Sequence, residues 1–270
     1  MDASFKLGGR RVKYKLTFLG VNSFFSNGID QFHSNLLLEN EEGKALLIDC
    51  GTDLKMFLAK ANKKVENIDA VYVSHCHGDH ASLEYLGFYT HFITKKKPTL
   101  YSHYTHFYDQ PYNLWEVLRP SMEALDEGNV YLSEYFRCPK IDRSFEWSGI
   151  KFELLPFFHI ENKDQIIFSY GLMFEINKKI IFFSSDTKEN TLPFAETMMA
   201  DIIFHDCETY GLVMPPGSKV HAHYEDLEKA DPKIKAKTWL YHYQDLGKNM
   251  PNAKADGFAR FVQTGQVFEF

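Results

Sequence analysis

Seven consecutive residues, Ser74-His75-Cys76-His77-Gly78-Asp79-His80, constrain this chain more than any other stretch. Four potential metal ligands, His75, His77, Asp79 and His80, fall within six positions. The run before them, Ala70-Val71-Tyr72-Val73, is short, apolar and β-branched, which predicts a buried strand. Residues 81–91 read as a helix. The ligands therefore lie in the loop leaving the C-terminal end of a strand, where α/β sheets place their chemistry. Imidazole nitrogens and a carboxylate suit zinc or a similar first-row divalent ion. Gly78 permits a tight loop, so ligands on both sides of it can converge. His75 and His77 flank one residue and point to the same side of an extended loop. Asp79 and His80 diverge from them, which favours two ions over one.

The rest of the composition bounds what surrounds such a site. A chain of 270 residues with 44% hydrophobic content supports one large core, so a single domain over 1–270 is expected. The net charge of −6 gives no global basic field, so no long nucleic acid is expected as partner. Four cysteines, Cys50, Cys76, Cys138 and Cys207, show no Cys-x-x-Cys spacing and read as reduced thiols. Residues 1–11 are polar and basic, unlike a signal peptide, and no run approaches the ~18 apolar residues of a membrane span. A cytoplasmic protein is the expectation.

Along the chain, residues 12–19 alternate as a first strand, and 20–28 form a loop. Strands at 34–39 and 45–49 make a hairpin around Asn40-Glu41-Glu42-Gly43. An amphipathic helix follows at 53–62, and Asp49 at the strand end is placed to hold the histidine loop by hydrogen bonds. Residues 97–144 are an aromatic-rich insert, with a short strand at 98–101 and helical apolar spacing at Leu114, Val117, Leu118, Met122 and Leu125. Its crowding of Tyr101, His103, Tyr104, His106, Tyr108, Tyr112 and Trp115 reads first as core or dimer contact. Strand 150–156 ends at Phe157-Phe158-His159, and strands 169–175 and 179–183 turn at Asn177-Lys178 into Ser184-Ser185-Asp186-Thr187. Residues 200–208 and 238–242 read as further strands, the second ending in His242. The apolar tail, 257–270, is expected to pack, and with the insert it motivates a homodimer.

The pattern His-x-His-x-Asp-His at 75–80 resembles the signature of the metallo-β-lactamase-fold hydrolases. His77 stands where redox di-iron members of that fold carry Glu. The resemblance implies an α/β fold, a four-layer αβ/βα sandwich whose halves divide within 140–149. It implies two divalent ions per chain, zinc first with manganese or iron as alternatives. His75, His77 and His159 would hold one ion, and Asp79, His80 and His242 the other, with Asp186 bridging. Such ions lower the pKa of water toward ~7 and offset phosphoryl charge.

Within the fold, Ser185-Asp186-Thr187, His205-Asp206-Cys207-Glu208, His221 and Tyr241-His242 resemble ribonuclease Z and its cyclic-nucleotide phosphodiesterase relatives, including those that disarm Pycsar immunity. That implies catalytic parts for Asp79, for His221 near the leaving group, and for Glu208 or Asp206 in orienting His221; His223 competes for the same part. Only residues 161–185 lie where ribonuclease Z enzymes carry their long RNA-gripping arm. A small phosphodiester, most simply a cyclic nucleotide, is therefore the expected substrate. The alternatives are armless RNA 3′-end processing, thioester or lactone hydrolysis, and a non-enzymatic metal-binding module.

Overall fold

A computed structural model describes residues 13–26, 28–108, 113–122, 131–161, 166–213, 217 and 220–270. The first-half strands are β1 (Lys15–Gly20), β2 (Asn35–Glu39), β3 (Ala45–Ile48), β4 (Ile68–Tyr72) and β5 (Thr99–Tyr101). They pair in sequence order, antiparallel from β1 to β3 and parallel from β3 to β5. The second sheet holds β6 (Ser144–Trp147), β7 (Ile150–Glu161), β8 (Ile166–Ile176), β9 (Lys179–Phe183), β10 (Ile202–Asp206), β11 (Thr238–Tyr241) and β12 (Arg260–Phe261). It too runs antiparallel first, β6 to β9, then parallel, β9 to β12. The last strand, β13 (Val267–Glu269), returns to pair with β1.

Side-chain alternation explains the layering. In β4, Ala70 and Tyr72 face the second sheet, in the core that holds Phe145, Phe152, Leu172, Phe183 and Tyr241. Val71 and Val73 face the other way, into a second core with Leu54, Phe57 and Leu58. Those three residues lie at helical spacing on the helix Leu54–Lys60. Leu192, Ala195, Leu227 and Ile234, from short helices, cover the far side of the second sheet. Helix, sheet, sheet, helix is the four-layer α/β sandwich of the metallo-β-lactamase fold.

Several expected elements shift, each for a local reason. The helix expected at 81–91 begins earlier, as Gly78–Ala81, and breaks before Glu84–Phe88. It breaks because the Ser82 N–H donates to Cys50 O at 2.7 Å instead of continuing a helical ladder. Strand β7 does not stop at His159 but continues to Glu161, with a register slip between Phe158 and Ile160. The slip is a bulge that turns His159 inward, 1% exposed, while Phe158 stays 40% exposed. Asn177 and Lys178 both take positive φ, 50° and 67°, as the tight β8–β9 hairpin requires. The tail is used within the chain: Phe258 and Phe261 are buried, and Phe268 packs edge-on against Phe204 at 4.9 Å.

Much of the aromatic insert is core. Leu114, Leu118 and Met122 are buried along the helix Leu114–Met122, and Tyr101 stacks on Phe145 at 4.3 Å. Val12, Tyr112 and Leu125 lie outside the described residues. His103 stacks on Tyr170 at 4.1 Å, and His106 Nδ1 lies 2.6 Å from Ser102 Oγ. Burial, then the charge of His103, lowers the His106 pKa from 6.5 to about 4. Its contribution to stability is therefore complete above about pH 6.5 and is lost as pH falls toward about 4, because the unfolded chain binds the proton first. We expect His106→Asn to reduce the loss of unfolding free energy between about pH 7 and about pH 4.5 by about 2 kcal/mol. Urea titrations at the two pH values measure it, and an unchanged difference would remove His106 from the account.

Candidate metal centre

Every candidate ligand sits at or just beyond a strand end on one rim of the two sheets. His75 and His77 follow β4 in the loop, while Asp79 and His80 lie in the first turn of Gly78–Ala81. His159 comes from the β7 bulge, Asp186 follows β9 and His242 follows β11. Three non-glycine residues on this rim have left-handed backbone: Asp49 (φ 61°), Ser185 (φ 53°) and His242 (φ 60°). Each is the turn that directs a strand end into the site, and such strain persists only where surroundings enforce it.

The side chains converge in two groups. Ring nitrogens of His75, His77 and His159 make one: His77 Nδ1 lies 2.9 Å from His75 Nε2 and 3.1 Å from His159 Nε2. Asp79, His80, Asp186 and His242 make the other: His80 Nε2 lies 3.3 Å from Asp79 Oδ2, and His242 Nε2 lies 3.4 Å from the same oxygen. Asp186 stands between the groups. Its Oδ2 is 3.2 Å from His80 Nε2 and 3.8 Å from both His75 Nε2 and His159 Nε2, and its Oδ1 is 3.6 Å from His242 Nε2.

Outer partners fix which ring nitrogen faces inward. Asp49 accepts from the Ser74 N–H at 2.8 Å and Ser74 Oγ at 3.0 Å, and its Oδ2 lies 2.9 Å from His80 Nδ1. His159 Nδ1 donates to Val220 O at 2.9 Å, and His242 Nδ1 lies 3.3 Å from Asp206 Oδ1. In each ring Nε2 is left for the centre, the arrangement that orients metal-binding histidines.

The donor set fits divalent cations. His80 Nε2 and Asp186 Oδ1 are buried with no hydrogen-bond partner among the described residues, although both face the centre. Burial and neighbouring imidazoles keep His75 well below its ordinary pKa, and burial first lowers His159 to about 4, so both are neutral donors. Burial also disfavours charge on His242, yet Asp186 and the other carboxylates raise it to about 10. The second group thus favours positive charge within it even where burial opposes that charge.

The structure separates the two candidate proton donors. His221 Nδ1 lies 2.9 Å from Asp206 Oδ2, and its ring borders the same hollow as His77, Asp79, His159 and Asp186. His223 instead lies against Glu208, 3.1 Å from Oε2. Glu208 therefore does not orient His221; it pairs with His223 and accepts from the Gly211 N–H at 2.9 Å. Asp206 carries more than sequence reasoning gave it, since its Oδ2 also accepts from the Thr187 N–H at 2.9 Å, which fixes the turn holding Asp186. His205 points away, to Thr191. Burial by itself would lower the His221 pKa; the charge and hydrogen bond of Asp206, with Asp186 beyond, outweigh it and raise the pKa above its ordinary value.

Sequence reasoning did not single out Phe24 and Phe25, which roof the hollow. An adjacent aromatic pair between Ser23 and Ser26, in a run from Asn22 to Gly28 otherwise of Ser, Asn and Gly, was the available signal.

This layered fold, with its ligands on one rim, is that of the metallo-β-lactamase-fold proteins. YhfI from Bacillus subtilis superposes with a TM-score of 0.69 at 18% identity, covering 96% of this chain and 100% of that one. A diphosphatase from the PhnP family superposes with a TM-score of 0.63 at 18% identity, over 96% of this chain and 98% of that one. The chain belongs to the Anti-Pycsar protein Apyc1 family, whose profile matches residues 14–268. The Anti-Pycsar protein Apyc1 of Paenibacillus harenae is 34% identical over 237 residues, 85% of this chain and 90% of the relative.

Proposed function

We infer that this chain is a metal-dependent phosphodiesterase acting on a small phosphodiester, a cyclic nucleotide. One observation carries it: Asp186 lies within 4 Å of nitrogens from both donor groups, and a carboxylate-held imidazole, His221, borders the hollow that Asp186 also lines. Family membership supports the substrate class, since Pycsar immunity signals through cyclic nucleotides. His75, His77 and His159 would hold one divalent ion, Asp79, His80 and His242 a second, and Asp186 both; zinc suits so imidazole-rich a set. When bound, such ions lower the pKa of water and draw charge from the phosphoryl oxygens.

The chain's own residues do the rest. Asp79, itself in the second group, would orient the attacking water through its carboxylate. His221, protonated and held through Nδ1 by Asp206, presents Nε2–H toward the leaving oxygen. Phe24 and Phe25 limit water above the hollow. The interval from His159 to Asp186 is occupied by β8 and β9, which counts against a long RNA substrate.

Protein purified without chelator should carry about two divalent ions per chain, and a content that stays at zero after reconstitution with zinc and manganese would sink the reading. A panel of cyclic mononucleotides, bis-p-nitrophenyl phosphate, a thioester and an RNA precursor then tests the substrate. Turnover of the thioester alone would assign another hydrolysis to the same residues.

A further inference from the structure

A second, larger cleft of about 660 Å³ adjoins the hollow over the metal ligands, which measures about 320 Å³. The two share Phe24, Phe25, Val220 and His221, so one molecule can occupy both. The larger lies within the ~300–1,000 Å³ typical of small-ligand sites. Its described lining contains no Lys or Arg and two carboxylates, Glu208 and Asp245. An anionic phosphate is therefore disfavoured there, and a neutral part of the substrate fits.

Gln244 gives this wall a fixed chemistry. Its Oε1 accepts from the Thr209 N–H at 3.1 Å and the Tyr210 N–H at 3.0 Å. Two backbone donors on one atom settle which end of the amide is oxygen. The backbone is clamped as well, with Thr209 Oγ1 donating to Gln244 O at 2.6 Å and accepting from Gln244 N at 3.1 Å. The side-chain NH2 remains as the donor end of a residue lining the cleft. On the roof, Phe24 stacks on His33 at 5.7 Å and 14°, and Phe25 meets Phe24 edge-on at 5.3 Å. Phe25 is thereby supported from one side, yet it is 83% exposed.

We propose that this cleft receives the heteroaromatic base of the substrate, with the Gln244 NH2 donating to an acceptor on the base edge and Phe25 supplying a stacking face. The proposal rests on the cyclic-nucleotide phosphodiesterase reading and adds the base subsite to it. Aromatic stacking accepts any base face, whereas a single fixed donor requires a carbonyl oxygen or unprotonated ring nitrogen opposite it.

Gln244→Glu is the discriminating variant. A carboxylate keeps the acceptor for Thr209 and Tyr210, so the loop is retained, while the donor is lost and one negative charge is added. With the metal-loaded protein, KM for cyclic mononucleotides should rise about fivefold to tenfold with kcat changed at most about twofold. Bis-p-nitrophenyl phosphate, anionic but without a base, should change at most about twofold, which controls for the added charge. Phe25→Leu, at an exposed position, should raise the same KM severalfold. Calorimetric titration with a hydrolysis-resistant cyclic nucleoside phosphorothioate should show both losses as weaker binding. An unchanged KM on every cyclic nucleotide, or equal loss on both substrates, would overturn the base subsite while leaving the phosphodiesterase intact. A wild-type protein that cleaves bis-p-nitrophenyl phosphate but no cyclic nucleotide would overturn the parent reading and this one with it.

Discussion

Asp186→Ala should abolish phosphodiester hydrolysis and leave fewer than two divalent ions per chain. The Asp186 carboxylate lies within 4 Å of ligand-type nitrogens from both groups, reaching His75, His80, His159 and His242. Removing it leaves the first group with imidazoles alone and the second with Asp79 as its carboxylate. Substituting an outer partner of a metal ligand costs about 10–100-fold in metal affinity, and a shared donor should cost more. Charge stabilisation by bound ions is worth several kcal/mol, so kcat/KM should fall by about 10³-fold or more on activated and unactivated substrates alike. Asp186→Asn, which keeps the volume, guards against misfolding as the cause. Elemental analysis after reconstitution is the measurement. A variant that holds two ions and turns over at the wild-type rate would remove Asp186 from the centre.

The second large effect separates the metal ligands from His221. A ribose hydroxyl leaves poorly as an alkoxide, so a positioned acid should contribute about 10²–10⁴-fold. A nitrophenolate leaves readily without a proton. His221→Ala should therefore keep its ions, lose that factor on a cyclic nucleotide and lose much less on bis-p-nitrophenyl phosphate. Asp206→Asn should follow it in direction, because the charge that holds the imidazolium at 2.9 Å is gone. His223→Ala should behave differently, since His223 faces Glu208. Equal loss on both substrates in His221→Ala, with metal retained, would refute the acid role.

The two kinds of information divided along a physical line. The cluster at 75–80 and the strand before it were legible because local pattern marks them, while the parts expected of His159, Asp186 and His242 came from the family resemblance, each being only a polar residue near a strand end by itself. The resemblance to the metallo-β-lactamase fold rested on that same local pattern. Asp49 was legible for the same reason, and it does hold Ser74 and His80.

What stayed hidden depended on which atoms meet across the sheets. Alternation along β10 turns Asp206 toward His221 and His205 toward Thr191, a choice that the strand's register makes and its composition does not. Glu208, two residues further on, is carried past His221 to His223. The inward turn of His159 needs a bulge, and bulges come from the pairing of two strands, not from either alone. Sequence by itself determined the fold class and the candidate donor types, because donor atoms and buried strands are properties of single residues and short runs. Tertiary structure alone decided that Asp186 stands between two groups, that Asp206 rather than Glu208 orients His221, and that Phe25 and Gln244 share a cleft. Those are distances between residues up to 219 positions apart, and chain packing sets them.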